Sequence, residues 1–150
     1  MLKKPFVLTL ILYGLTILLS IVVGIILAII GLKSNPGAYT ALPIFAGLWV
    51  GHIYTGEYKE ALTKELKQKI ALYYFGLQLI LSLIFLAIMG LIAPKLVANT
   101  VLVALITIFT FLIALIEAFI TYKALGQGCK QKLKQLERIA NAQKASESQA

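Results

Sequence analysis

The sequence contains no aspartate, one histidine (His52) and one cysteine (Cys129). A single cysteine excludes an intramolecular disulfide and a cysteine-based zinc site within the chain. A single histidine without aspartate excludes a Ser-His-Asp triad and a multi-histidine metal site. No glycine-rich phosphate loop of the GxxxxGK[ST] type is present. We therefore expect a protein that is not an enzyme and binds neither a metal nor a cofactor.

Charged residues are also scarce, at 13% of the 150 residues, whereas 60% are hydrophobic. Soluble domains usually have about 25% charged and about 45–50% apolar residues. The 14 Lys+Arg against 6 Asp+Glu give a net charge of +8. These basic residues flank long apolar runs and do not form a basic folded domain of the kind that binds nucleic acid. The composition therefore indicates an integral membrane protein with no nucleic-acid partner.

Four apolar stretches predict transmembrane helices over about 5–32, 38–55, 70–92 and 101–124, of which the second is the least apolar. The first follows a Lys-Lys pair but is too long for the apolar part of a signal peptide, so we interpret it as a retained anchor. The predicted fold is all-α: an antiparallel bundle of four transmembrane helices over 1–126. The remainder, 127–150, is predicted to be a basic cytoplasmic tail, helical at first and disordered from Ser146 onward.

The basic residues also predict the orientation of the bundle. Twelve of the 14 lie in the N-terminal segment, the middle loop and the C-terminal tail, and only Lys33 and Lys95 lie in the other two loops. By the positive-inside rule, both termini are cytoplasmic. We expect a multi-pass protein of the cell inner membrane.

The connections between the spans differ in character. Asn35-Pro36-Gly37 predicts a turn, whereas the charged segment 57–69 is predicted to continue as exposed helix. Gly126 and Gly128 are expected to loosen the helix before the tail. The basic tail residues are Lys130, Lys132, Lys134 and Arg138. Their spacing fits an amphipathic helix on anionic lipid headgroups, and it fits a solvated helical extension equally well.

Small residues recur along the spans at steps of three or four, which in lipid favours close helix packing. The candidate packing residues are Gly47 and Gly51 in the second span, Ser20 and Gly24 in the first, and Thr107, Thr110 and Ala114 in the fourth. We interpret them as packing surfaces in preference to a conduction path.

Glu117 is the only acidic residue inside a predicted span, where an ionised carboxylate costs roughly 2.5–3.5 kcal/mol on insertion scales. Counted from the cytoplasmic ends of their spans, Gln78 and Tyr13 lie at a similar depth, and His52 is somewhat shallower. These four residues are predicted to form one hydrogen-bonded cluster. The cluster is either an interhelical contact, which we favour, or a protonatable site.

The plan of the chain also resembles a known family. The Asn35-Pro36-Gly37 turn, the middle loop with Thr63 and Glu65, and the basic tail follow one another at matching places. This order is similar to that of small four-span inner-membrane proteins of gammaproteobacteria that have no established biochemical activity. The resemblance covers nearly the whole chain and implies a role in the cell envelope, but it supplies no catalytic residues.

Two classes of function remain open. The first is a non-enzymatic membrane protein that binds or stabilises lipids or partner membrane proteins, with a homo-oligomer possible. The second is a small proton-coupled transporter that uses Glu117. Small multidrug exporters have their essential glutamate in the first span, where this chain has none.

Overall fold

The computed structural model describes residues 4–31, 41–92, 94, 98 and 100–147. Residues 145–147 are described by their backbone alone. Within these ranges the chain forms no strand and four helices: α1 (Pro5–Ile29), α2 (Leu42–Tyr58), α3 (Lys64–Ile92) and α4 (Thr100–Glu147). The expected all-α class is confirmed. The Asn35-Pro36-Gly37 turn, the last residue of the first predicted span and the first three residues of the second lie outside the described residues.

Three helices, α1, α3 and α4, are long and apolar enough to cross a membrane. Their 25, 29 and 48 residues correspond to about 38, 44 and 72 Å, against a hydrocarbon layer of about 30 Å. α2 has 17 residues and is not among them. The three long apolar helices are therefore compatible with a membrane protein.

Local sequence explains both ends of α1. Pro5 occupies the first turn of the helix, where its missing N–H costs nothing. Gly31 follows the last turn with a φ of 70°, the left-handed conformation in which glycine usually ends a helix. Its N–H donates to the carbonyl of Ala28 at 3.2 Å.

The charged middle segment is not one helix, contrary to the sequence-based expectation. α2 ends at Tyr58, and Lys59 adopts a left-handed φ of 57° while its N–H donates to the Thr55 carbonyl at 2.9 Å. α3 begins after Thr63, whose hydroxyl accepts a hydrogen bond from the Leu66 N–H at 3.2 Å. A threonine at this position satisfies an otherwise unpaired amide of the first helical turn. The break in the segment follows from these two helix ends.

The second correction concerns α4, which passes through Gly126 and Gly128 without interruption and continues to Glu147. The predicted boundary at residue 126 therefore falls inside a helix, and Ser146 and Glu147 are helical. A glycine inside a helix costs only about 1 kcal/mol relative to alanine, which contacts with a neighbouring helix offset.

Contacts between the helices give their relative directions. Thr9 of α1 lies against Ile70 of α3, with 3.4 Å from its Oγ1 to the Ile70 carbonyl oxygen. Four residues further along each helix, the rings of Tyr13 and Tyr74 have centroids 5.7 Å apart. α1 and α3 therefore run in the same direction.

α2 and α4 are also parallel to each other. A methyl group added at Gly47 would lie 2.9 Å from the Cβ of Ala124, and one added at Gly51 would lie 3.1 Å from the amide nitrogen of Cys129. α3 and α4, in contrast, are antiparallel, because Lys67 lies beside Gly126 whereas Gln78 contacts Glu117. Helices that are consecutive in the sequence thus alternate in direction.

The buried core lies at one end of this bundle, where α1 and α3 begin and all four helices meet. Its largest buried members are Leu8, Leu12, Val50, Ile70, Tyr74 and Leu125. At the other end, apolar side chains are strongly exposed: Ile29 by 80%, Leu91 by 85% and Val101 by 69%. Such a continuous apolar surface is unfavourable in water but matches the interior of a bilayer.

Candidate functional site

Gln78 and Glu117 form a direct contact between the two longest helices. The Gln78 Nε2 donates a hydrogen bond to the Glu117 Oε2, and both side chains are half-buried. The antiparallel packing of α3 against α4 brings the two residues to the same level. A hydrogen bond to an ionised acceptor is about twice as strong as one between neutral groups. The pair therefore reduces the cost of a carboxylate between apolar helices.

The amide of Gln78 has further capacity for hydrogen bonding. Its Oε1 is buried and has no hydrogen-bond partner within the described part of the chain. The oxygen and nitrogen of a side-chain amide exchange places by a rotation, so the same residue can donate to a carboxylate or accept from a carboxylic acid. The Gln78–Glu117 pair can therefore stay hydrogen-bonded whether Glu117 is ionised or protonated.

Two tyrosines complete the surroundings of this pair. Tyr13 of α1 is half-buried and lines the same groove as Gln78. Tyr74 of α3 is buried, and its ring packs against the ring of Tyr13, with centroids 5.7 Å apart. The structure thus brings Tyr13, Gln78 and Glu117 together from three helices.

His52, the fourth residue predicted for this cluster, lies elsewhere. The preceding residue, Gly51, packs against Leu125 and Cys129 of α4. Leu125 is eight residues past Glu117, which is about 12 Å along the helix axis. His52 has no hydrogen bond or ion pair in the described part of the chain. Depth counting assumed that α2 and α4 end at the same level. In the structure, α2 packs against the part of α4 that follows the apolar run, so His52 lies away from Glu117.

The packing residues predicted from the sequence fall into two groups. Gly47, Gly51 and Ala114 are buried, and the two glycines face α4 at close range. Ser20, Gly24 and Thr110 are half-buried and Thr107 is exposed. The hydroxyls of Ser20 and Thr107 donate to carbonyls of their own helices, at 2.8 Å each.

Gly128 is a contact residue that sequence reasoning missed. A methyl group added at Gly128 would collide with the backbone of Leu48, so only glycine allows the two helices to approach this closely. The pattern that indicates it is Ala124-x-x-x-Gly128, a pair of small residues spaced by one helical turn. Because Gly128 lies next to lysines and outside the fourth predicted span, the sequence did not indicate that it contacts another helix.

A groove of about 650 Å³ lies between α3 and α4, next to the Gln78–Glu117 pair on the side away from the buried core. We call it the Thr107 groove. Tyr13 and Gln78 lie at its base, and Ser82, Thr107 and Thr110 contribute hydroxyls to its walls. The remaining lining is apolar and includes Leu86, Met89, Val103 and Ile106. This groove lies in the part of the bundle that extends away from the buried core.

The basic tail residues lie in the C-terminal part of α4, where the Lys132 side chain packs beside Gly56 of α2. Lys130, Lys134 and Arg138 are exposed at four-residue spacing and share one face of the helix. The Lys132 Nζ instead lies 3.1 Å from the Gln135 Oε1. Along a continuous helix, Arg138 is about 24 Å from Tyr122. α4 is therefore one continuous helix through the tail, and both interpretations of the tail, on lipid headgroups or in solvent, stay predictions.

Comparison with known proteins gives no further guidance: no family model, curated protein or solved structure matches the chain. Among the described residues, no three histidine, cysteine or acidic side chains are grouped so that they could hold a metal ion. The Gln78–Glu117 pair and the Thr107 groove are therefore the candidate functional features of the chain.

Proposed function

We propose that this chain is a small integral protein of the inner membrane, not an enzyme, that binds a partner membrane protein or a lipid in the cell envelope. It crosses the bilayer four times and has both termini in the cytoplasm. The resemblance of its plan to small four-span inner-membrane proteins agrees with this role. The observation that carries the proposal is the open Thr107 groove between α3 and α4.

The four crossings are supported by the directions of the helices. α1 and α3 are parallel and both are long enough to span the bilayer. Between two parallel spans the chain must return across the membrane, and α2 lies in the returning segment. α4 then crosses in the direction opposite to α3, so that both termini lie on one side. The distribution of lysines assigns that side to the cytoplasm.

The chemistry of the Thr107 groove supports the binding of an apolar partner. Helices in lipid associate through close packing and through polar groups, because lipid itself is as apolar as leucine. The groove offers apolar walls together with the hydroxyls of Ser82, Thr107 and Thr110. At its base, the Gln78 Oε1 is a buried acceptor without a partner. A transmembrane helix with one donor side chain, or a lipid with a hydroxyl group, complements this surface.

Site-specific photocrosslinking in native membranes tests the proposal. A photoreactive residue at Ile106, which lines the groove, is expected to give one defined adduct. The matched control is Ile108, which is 57% exposed two residues further along α4 and does not line the groove. Mass spectrometry then identifies the adduct as protein or lipid. The same adducts from both positions would contradict a binding function of the groove.

Proton-coupled transport is the second candidate, and one observation favours it. Glu117 is an acidic side chain inside a predicted span, close to the base of a groove, and Gln78 can pair with both of its protonation states. In proteoliposomes, a solute flux driven by a pH gradient and abolished by Glu117→Gln would support transport. An unchanged crosslink at Ile106 without such a flux would support the binding function alone.

A further inference from the structure

A second groove lies between α3 and α4 at the end of the bundle that contains the core. We call it the Tyr122 groove; its volume is about 740 Å³. Its walls are formed by apolar side chains, among them Leu72, Phe75, Leu115, Ile116 and Phe119. Leu72 and Phe119 are more than 60% exposed. The T-shaped contact of Phe75 with Phe111, at 5.5 Å, lies between this groove and the Thr107 groove.

Two lysines lie over aromatic side chains that line the Tyr122 groove. The Lys67 Nζ lies 5.3 Å from the centre of the Tyr122 ring, and the Lys123 Nζ lies 5.4 Å from the centre of the Phe119 ring. Cation–π contacts of this kind favour these positions of the two lysine side chains. One ammonium group is contributed by α3 and the other by α4.

Neither ammonium group has an acidic partner within the described part of the chain. The intrahelical ion pair of this region, at 2.6 Å, joins Lys69 to Glu65. Lys67 and Lys123 therefore leave two positive charges at the end of an apolar groove. A ligand that complements both features has an anionic group joined to a hydrocarbon chain.

We propose that the Tyr122 groove binds an anionic phospholipid of the cytoplasmic leaflet. Its phosphate lies between the ammonium groups of Lys67 and Lys123, and one acyl chain lies in the groove. The proposal rests on the orientation given under Proposed function, because that orientation brings the first turn of α3 and residues 122–123 of α4 to the cytoplasmic headgroup layer. Basic pockets between transmembrane helices on the cytoplasmic side are suited to such headgroups.

The position of the charges favours a lipid over a partner helix. A phospholipid has its charge at the membrane surface and its acyl chains toward the bilayer centre. The groove matches this order, because the two ammonium groups lie at one end and the apolar side chains line the rest. An apolar helix in the same place would leave both ammonium groups without a counter-charge. The sequence itself supplies few acids to a second copy, since it has only 6 Asp+Glu.

The test uses the full-length protein, purified in detergent and freed of lipid. Dioleoyl phosphatidylglycerol is titrated in, with dioleoyl phosphatidylcholine as the zwitterionic reference, and bound lipid is counted by native mass spectrometry. We expect one phosphatidylglycerol to bind preferentially. In the Lys67→Gln/Lys123→Gln variant its affinity should fall roughly thirtyfold, since each of the two basic side chains near the headgroups contributes about 1 kcal/mol.

The matched control is Lys130→Gln/Lys134→Gln, which removes the same charge from exposed positions on α4. This variant should retain phosphatidylglycerol binding. Ala71→Phe fills the groove without changing any charge, and it should weaken phosphatidylglycerol binding as well. Glycerol phosphate, which has the anionic group but no acyl chain, should not compete.

Three results would overturn the proposal. The first is equal loss of binding in both lysine variants, which would indicate a general effect of charge. The second is no preference for phosphatidylglycerol over phosphatidylcholine. The third is an Ala71→Phe variant that changes the oligomeric state but not lipid binding, which would assign the groove to a second copy. In each case the crosslink at Ile106 is unaffected, so failure of this site is distinguishable from failure of the proposed function.

Discussion

At the scale of single residues, the hydrogen bond between Gln78 and Glu117 is the most unusual feature of the bundle. A carboxylate between apolar helices needs a donor, and Gln78 supplies one from the facing helix. Interhelical hydrogen bonds in membrane proteins contribute about 0.6 kcal/mol on average and at most about 1.7. The pair should therefore stabilise the α3–α4 contact measurably without determining the fold.

A double-mutant cycle measures this contribution. Glu117→Leu, Gln78→Leu and the double variant are unfolded by SDS titration in bicelles, and we expect a coupling energy of about 1 kcal/mol. The control cycle combines Glu117→Leu with Ser20→Ala, because the Ser20 hydroxyl donates to the Thr16 carbonyl within α1 and not to α4. A Glu117–Gln78 coupling no larger than the control would show that the contact does not stabilise the protein.

Lys59 is a second residue whose conformation has an energetic consequence. Its φ of 57° is a left-handed backbone conformation. In a residue with a Cβ atom this conformation costs roughly 1–2 kcal/mol, because the Cβ comes too close to the following carbonyl oxygen. Glycine at the end of a helix adopts this conformation readily. Lys59→Gly is therefore expected to raise the free energy of unfolding by about 0.5–1 kcal/mol, as measured by the same titration.

The corresponding control is Lys59→Ala, which keeps a Cβ and should leave stability nearly unchanged. If the glycine and alanine variants were equally stable, the left-handed turn after α2 would be excluded.

The sequence predicted part of this residue-scale detail. Depth counting placed Gln78 and Glu117 at one level because the apolar run of α3 begins, and that of α4 ends, at the same end of the bundle. The same count gave a wrong neighbour for His52, since α2 packs by its glycines against residues 121–129 of α4. The turn at Lys59 has no local signal, because lysine has no preference for a left-handed conformation.

At the scale of helices, the contact between α2 and α4 depends on small residues on both sides. Gly47 and Gly51 of α2 face Ala124 and Leu125 of α4, and Gly128 of α4 faces Leu48. The side-chain hydroxyls of Thr55 and Thr121 are buried and have no hydrogen-bond partner in the described part of the chain. Close backbone packing is therefore the main source of stability at this interface.

Substitutions at two glycines of α4 distinguish the effect of helix packing on stability from the effect of helix propensity. Gly128→Ala places a methyl group against the Leu48 backbone and should destabilise the protein by about 1–3 kcal/mol. At Gly126 the nearest atom to an added methyl group is the flexible Lys67 Nζ, at 3.5 Å. Gly126→Ala should therefore stabilise α4 by about 0.5–1 kcal/mol. Thermal unfolding in detergent measures both.

Changes of equal sign in the two variants would contradict the close contact of α2 with α4. The sequence-based interpretation treated both glycines alike, as residues that loosen the helix. Helix propensity supports that interpretation, but it does not take account of a neighbouring backbone. The end of α4 could not be predicted from the end of its apolar run, because the helix continues past that run and packs against α2 there.

At the scale of the whole molecule, the described core is concentrated where α1, α2, α3 and α4 meet, and the remaining lengths of the three apolar helices are exposed. Apolar composition predicted those three helices correctly. It also predicted a second span, but α2, with 17 residues, is not among the helices that are long and apolar enough to cross a membrane. Periodicity could not reveal that packing is confined to one end, since small residues recur along the whole of α1 and α4.

The central claim is that both ends of the chain lie on the cytoplasmic side of a bilayer crossed an even number of times. Cysteine accessibility tests it most directly. The native Cys129 is buried, with its Sγ 3.5 Å from the Gly51 carbonyl oxygen, so it is replaced by alanine. Single cysteines are then placed at Lys144, which is exposed on α4, and at Lys33, between the first two predicted spans.

The reagent is a membrane-impermeant maleimide, applied to intact cells and to inverted vesicles. The Lys144→Cys variant should be labelled only in inverted vesicles, and the Lys33→Cys variant only in intact cells. Labelling of Lys144→Cys in intact cells, or labelling of both variants from the same side, would contradict the account.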